Sequence, residues 1–190
     1  MLRVVAAAIV AVLLIGDAAR AVSVRMTNID QSARWIQAEG RPEDLAIVYP
    51  WFCSVTFERY YRGSTPWITV PNVTDRIFHP LLEVAEKIQL GDAGFSAELE
   101  RVESVLRRGG RVWVVGGLLA PAPGAPVPHL PPAPTGPWGW QSGPYLVGWL
   151  AQLGALLQAH AESLQRVALP PTGPVNEFEN APLMVAEGWH

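Results

Sequence analysis

The chain has 190 residues and a formal net charge of −3; apolar residues make up 49% of it and charged residues only 16%. That balance excludes a largely disordered chain, which needs low hydrophobicity and high charge, and leaves no basic footprint for nucleic acid. The single cysteine, Cys53, excludes an intrachain disulfide and any CxxC metal site.

The amino end opens with Arg3 and then runs from Val4 to Gly16 without a charge, until Asp17 and Arg20 interrupt. A spanning helix needs about 20 apolar residues, so this run is short on its own. Three readings stay open. It is a secretory signal with small residues at Ala19 and Ala21 for cleavage, the outer half of a membrane helix that begins upstream, or a buried core helix. The first two place Val22 onward outside the cytoplasm, because Arg3 stays on the inner side. The chain thus divides into a segment 1–24, a membrane helix end or signal-like stretch, and a domain 25–190.

Thr27-Asn28-Ile29-Asp30 carries cap-type residues, and Ile29, Ala33 and Ile36 repeat at helical spacing up to Gly40. Leu45–Tyr49 is a short continuous apolar run, the pattern of a strand buried on both faces, and Pro50 ends it. A short helix over Val55–Tyr61, a strand over Trp67–Val70 and a helix over Leu81–Leu90 follow. Phe95, Leu99, Val102 and Leu106 mark another helix, with Arg107 and Arg108 suited to its negative carboxyl end. Arg111–Val115 is a third apolar strand, followed by Gly116-Gly117.

Residues 120–137 hold eight prolines after Ala120 and cannot build a core. With the run to 144 they form an insertion, a lid or a linker. Pro144 opens a long helix striped by Leu146, Leu150, Leu153, Leu157 and Leu164, predicted to reach Gln165. Arg166–Leu169 and Leu183–Ala186 are predicted strands. The expected fold class is α/β: a three-layer, mostly parallel sheet of about five strands with helices on both faces. The last strand follows its predecessor without a helix, which predicts an antiparallel edge strand.

No GxGxxG, Walker, HExxH or GxSxG pattern occurs, so no cofactor is predicted. His79, His129, His160 and His190 lack metal spacing, so no metal is predicted either. In a parallel sheet the ligand crevice lies at the carboxyl ends of the strands. That rule gathers Trp51 and Cys53 after the first strand, Asp75 and His79 after the second, and Gly116 and Gly117 after the third. These six are candidate ligand or interface residues, with the Pro-rich loop as a cover. A Cys53/His79 nucleophile pair lacks a third, orienting group, and a buried cysteine acting as a small hydrophobe explains Cys53 as well. No catalytic residue is assigned. Glu58-Arg59-Tyr60-Tyr61-Arg62 offers groups for a phosphate or sugar or a packed helix end. Asn72-Val73-Thr74 matches a glycosylation acceptor. Trp138 and Trp140 suit a sugar, a membrane interface or a pin for the loop.

Taken in order, these pieces resemble a known family. An apolar helix end leads to Arg25-Met-Thr-Asn28-Ile-Asp30, Ala33-Arg-Trp35-Ile36 and Pro42-Glu-Asp44-Leu-Ala-Ile-Val48. Tyr49-Pro-Trp51, Phe57-Glu-Arg-Tyr60-Tyr61-Arg-Gly63 and Arg108-Gly-Gly-Arg-Val112-Trp113-Val-Val115 follow. Over about residues 5–117 the pattern resembles the extracytoplasmic tail of bacterial multi-pass membrane glycosyltransferases of the family 39, mannosyltransferase-like type. The resemblance implies a domain on the periplasmic side of the inner membrane, partnered by the membrane and a membrane-embedded transferase domain. It also implies a polyprenyl-phosphate sugar as donor. The family's catalytic acid lies in a membrane-domain loop that this chain does not contain, so the resemblance carries no catalytic residue and implies an accessory role. In such a tail Asp44, Tyr60, Tyr61 and Trp113 are scaffold or surface. The rival expectations are a small secreted or periplasmic enzyme or ligand-binding protein with a cleaved signal, and a cytosolic doubly wound enzyme.

Overall fold

The computed structural model describes the whole chain except residues 1–9, 11, 13, 17, 20, 21, 77–79, 123, 137–140 and 172. Its described elements are helix α1 (Ile29–Glu39), strand β1 (Leu45–Val48), helix α2 (Ser54–Tyr60) and strand β2 (Trp67–Thr69). Helices α3 (Leu81–Ile88) and α4 (Ser96–Arg107), strand β3 (Val112–Val115) and helix α5 (Ser142–His160) follow, then strands β4 (Ser163–Arg166) and β5 (Leu183–Glu187). Short 3-10 turns cover Trp51–Cys53, Gly91–Gly94 and Glu177–Glu179.

One five-stranded sheet has the order β2-β1-β3-β5-β4. β1 pairs parallel with both β2 and β3, and β5 pairs antiparallel with both β3 and β4. Alternation along the central strands splits the core into two. Leu45, Ile47, Val112 and Val114 point to the face covered by Val84 and Ile88 of α3, Val102 and Leu106 of α4, and Trp149 and Leu153 of α5. Ala46, Val48, Trp113 and Val115 point to the face covered by Ile29, Ala33 and Ile36 of α1 and Phe57 of α2. This is the expected three-layer arrangement, and the strands read as unbroken apolar runs because both faces are covered.

The sequence expectation places the antiparallel strand at the sheet edge; the structure places it inside. β5 lies between β3 and β4, and the edges are β2 and β4. The reason is width. A helix is about 10–12 Å across with its side chains, roughly twice the 4.8 Å strand spacing. Helix α5 therefore carries the chain past one strand position, and β5 returns to fill it. A second correction concerns α5 itself, which ends at His160 rather than near Gln165, so that β4 starts at Ser163 and the Arg166–Leu169 strand moves three residues earlier. Leu164 continues the leucine spacing by coincidence: it packs on the α3–α5 side of the core, but from a strand. The helix stops where Ala161 turns extended, and the carbonyl of His160 accepts the His190 N–H at 3.0 Å while its ring stacks on Trp189.

The polar turn before β1 has a physical purpose. Asp44 is fully buried. Its carboxylate accepts the Arg111 backbone N–H at 2.9 Å, the Arg111 guanidinium at 2.9 Å, the Trp113 indole N–H at 3.1 Å and the Arg41 N–H at 3.1 Å. The Pro42-Glu-Asp44 turn thus stitches the exit of α1 to the start of β3.

At the amino end, the described residues Val10, Val12, Leu14, Ile15 and Val22 carry helical backbone and are exposed. No helix among the described residues is long and apolar enough to cross a membrane. Much of the apolar run, from Val4 to Ile9 and again at 11 and 13, lies outside the described residues, as do Trp138 and Trp140.

Candidate functional site

The strand order changes direction at β1, with β2 on one side and β3 on the other, so a ligand crevice belongs between the carboxyl ends of β1 and β3. At that point the exits of the two strands lie against each other. Gly116 has φ +119° and its α-carbon lies against the Tyr49 carbonyl group, so a side chain there would collide with β1's exit. The Gly116 N–H donates to the Pro182 carbonyl at 2.9 Å, which ties the same point to the approach to β5. Only glycine tolerates both the positive φ and this close approach. Gly117 is half-buried, and a side chain there would point into open space.

Trp51 and Cys53 sit on the 3-10 turn that follows β1 and diverge to opposite faces of the sheet. Trp51 is 6% exposed and joins the core under α3–α5; Cys53 is 1% exposed and joins the core under α1 and α2. Burial pushes the Cys53 thiol up to about 12, and the Glu179 carboxylate nearby adds to the rise. A nucleophilic cysteine needs the reverse environment, with a lowered pKa and access to solvent. Burial also raises the Tyr49 phenol, with Cys53 adding to it. Iodoacetamide at pH 8 is therefore expected to leave Cys53 unmodified in the folded chain and to alkylate it fully in denaturing urea, as intact mass would read; rapid modification of the folded chain would contradict the burial.

Asp75 is exposed. Its N–H points to Glu83 Oε1 at 3.3 Å, and Glu83 also holds the Thr74 N–H at 2.6 Å and hydroxyl at 2.7 Å. Those Thr74 bonds keep the Glu83 carboxyl below the ordinary carboxylate range. The segment then runs back along the edge strand. Arg76 donates to the Trp67 carbonyl at 3.0 Å and lies 4.0 Å from the centre of the Trp67 ring. His79 lies outside the described residues. Of the six candidates, then, Trp51 and Cys53 pack into the two cores on opposite faces of the sheet, Gly116 lies against Tyr49, Gly117 has open space beside it, and Asp75 bonds to Glu83.

The Glu58–Arg62 stretch is mostly committed to structure. Tyr61 is buried, stacks on Phe57 at 4.9 Å and donates its hydroxyl to the Thr65 carbonyl at 2.9 Å. Gly63 is required because a side chain there would meet the Tyr61 ring at 2.6 to 2.8 Å. Arg62 donates to the carbonyls of Glu58 and Tyr61, both at 2.6 Å. Tyr60, with Arg34 and Arg59 about its ring, remains at the surface.

A polar cluster that the sequence reading missed lies on the other side of the molecule. Within the Pro-rich segment, Pro128–Ala133 threads between α3 and α5. Asp92 accepts the Leu130 N–H at 2.9 Å and the Gln152 amide at 2.6 Å, and meets His129 Nδ1. Gln152 also donates to the Pro128 carbonyl at 2.9 Å, and Tyr145 to the Pro131 carbonyl at 2.9 Å. Desolvation opposes ionisation of Asp92, but the bonds from Leu130, Gln152 and His129 prevail and hold its carboxyl below the ordinary range. Beside this clamp lies an open groove of about 530 Å³, lined among others by Ser96, Leu99, His129, Gln152 and Leu156. Its parts come from positions 92, 129 and 152, so no local motif announces them. Among the described residues no cluster of His, Cys, Asp and Glu could hold a metal ion.

No known protein family, characterised protein or solved structure matches the chain.

Proposed function

We propose that the chain is a membrane-tethered extracytoplasmic accessory domain, of the kind that ends a polyprenyl-phosphate-sugar-dependent membrane glycosyltransferase, and that it is not catalytic by itself. One observation carries the tether. Val10, Val12, Leu14, Ile15 and Val22 are 54 to 85% exposed, and the described residues of the domain offer them no core to enter. Each large aliphatic side chain left in water forgoes about 1.5–3 kcal/mol of burial, which a lipid core supplies. The accessory role is supported by the edge where α/β folds place their chemistry: its thiol is buried and its glycine is packed against β1. In this reading the domain stands on the periplasmic side of the bacterial inner membrane. It packs over the opening of a membrane-embedded transferase and helps to hold the lipid-linked sugar or the acceptor.

The test is membrane partition. The full chain is expected to stay with the membrane fraction after a high-salt wash, and a chain lacking residues 1–24 to move to the supernatant as a folded domain. A full chain that washes off overturns the tether; a truncated chain that stays bound places the anchor elsewhere.

A second reading, a small secreted or periplasmic ligand-binding protein with a cleaved signal, draws on the groove beside Asp92 and His129. Intact mass after expression separates the two, since cleavage after Ala21 favours this second reading.

A further inference from the structure

The two edges of the sheet are finished differently. At β2 the edge is capped. Trp67–Thr69 are all buried. The Trp67 carbonyl accepts the Arg76 guanidinium at 3.0 Å, and the Thr69 hydroxyl accepts the Val73 N–H at 3.1 Å. At β4 the edge is open. The Val167 N–H donates to the Leu183 carbonyl at 2.9 Å, so the backbone groups of Ser163, Gln165 and Val167 face β5. Antiparallel alternation turns those of Leu164 and Arg166 outward, and among the described residues no backbone group pairs with them there. An open edge is a template for another strand, and β4 has no proline or lysine to discourage pairing.

The order of residues names the occupant. Residues 161–167 read Ala-Glu-Ser-Leu-Gln-Arg-Val. A second copy of this segment, laid antiparallel with Leu164 opposite itself, sets Ser163 against Gln165, Glu162 against Arg166 and Ala161 against Val167. Polar meets polar, apolar meets apolar, and acid meets base on both sides of the two-fold axis. Centring the axis on Arg166 instead sets two arginines face to face; centring it on Gln165 sets Arg166 against Leu164 and Val167 against Ser163. Leu164 is half-buried at the rim of the core under α3–α5, so its counterpart would extend that core. Glu162, lying over Gly188, and Arg166 are both exposed. The ion pairs among the described residues use neither. They are four residues apart, about 13 Å along a strand, too far to pair within one chain.

We propose that the chain forms a two-fold homodimer through β4, its two sheets continuing into one across an antiparallel pairing centred on Leu164 and locked by Glu162–Arg166 pairs in both directions. This surface is independent of the tether, because it lies wholly within the folded domain.

Sedimentation equilibrium of the full chain in density-matched detergent reads the mass, and a dimer is expected. Arg166→Glu and Glu162→Arg are each expected to raise the dimer Kd by about tenfold, since both cross-strand pairs become like-charge contacts. The double variant Glu162→Arg/Arg166→Glu is expected to restore the wild-type Kd, which no interaction within one chain achieves at that separation. Disulfide formation reads the register. In this pairing Ser163 and Gln165 form a non-hydrogen-bonded pair with α-carbons about 4.5 Å apart, within disulfide reach. A mixture of chains carrying Ser163→Cys and chains carrying Gln165→Cys is therefore expected to cross-link faster than either alone; Cys53 is too buried to compete. Glu162, Gln165 and Arg166 are exposed and Ser163 is half-buried, so the variants keep the fold, as their melting checks. A monomeric wild type overturns the proposal. A dimer that the single charge variants leave unchanged, that the double variant does not restore, or whose mixed cysteine chains do not couple preferentially overturns it as well, because its interface then lies elsewhere.

Discussion

Replacing Asp44 by asparagine is expected to destabilise the fold by about 3–5 kcal/mol, the cost of stranding one partner of a buried ion pair. For a chain of this size that lowers Tm by roughly 6 to 20 °C, at about 2–4 °C per kcal/mol. Asp44 is fully buried and Arg111, its ion-pair partner, is 17% exposed at the side chain, so water replaces little of what is lost. Asparagine keeps the shape but presents an amide where the carboxylate accepted N–H groups from Arg41, Arg111 and Trp113. The pH dependence has a definite sign. Desolvation acts to raise the Asp44 carboxyl, but the bonds from Arg111 and Trp113 prevail and hold it below its usual 3.8. A depressed native pKa gives stability that is present above the unfolded value, near 4, and is lost as pH falls through the native value. The gap in Tm between the wild type and Asp44→Asn should therefore be full at pH 7 and narrow below pH 4. Equal melting of the two proteins at pH 7 would show that the turn before β1 is not held by this carboxylate.

Val114→Asp is expected to cost at least as much, with the opposite pH dependence. Val114 is fully buried in the middle strand, registered between Ile47 of β1 and Met184 of β5. Its side chain enters the core under α3–α5, where Val105, Leu106 and Leu153 offer no hydrogen bond. An ionised carboxylate there has no partner, so it takes up a proton instead, and the cost is several kcal/mol. Against a total of about 5–15 kcal/mol for a typical domain, much of the variant unfolds at neutral pH. The native pKa of the new carboxyl is raised, so stability is regained as pH falls below it. A urea midpoint that falls sharply at pH 7 and recovers in part near pH 4.5 is the expected pair of results. An unchanged midpoint would mean that position 114 reaches solvent.

Acid therefore separates two kinds of buried carboxylate in one sheet. Asp44 has donors placed around it and weakens the fold only when protonated. An aspartate at 114 has none and weakens it most when charged. Both positions are buried, so burial alone does not decide the sign; the available N–H groups do.

The chain's own pattern determined the elements and the layers. Leu45–Val48 and Val112–Val115 are continuous apolar runs, the pattern of strands covered on both faces, so the strands and the layers above and below them are legible in the local sequence. The spacing of Ile29, Ala33 and Ile36 likewise assigns the buried face of α1. The contact of Gly116 with Tyr49, the interior place of β5 and the Asp92 clamp were decided only in three dimensions. Gly116 reads as a turn residue until Tyr49 is seen against it, and Leu164 reads as helix because its spacing from Leu157 fits one. Asp92, His129 and Gln152 meet across a Pro-rich segment that has no periodicity to follow. Periodicity reports which face of an element is buried, because that depends on neighbours three or four residues away. It does not report which elements meet, because that depends on helix width, connection length and hydrogen bonds between residues dozens of positions apart.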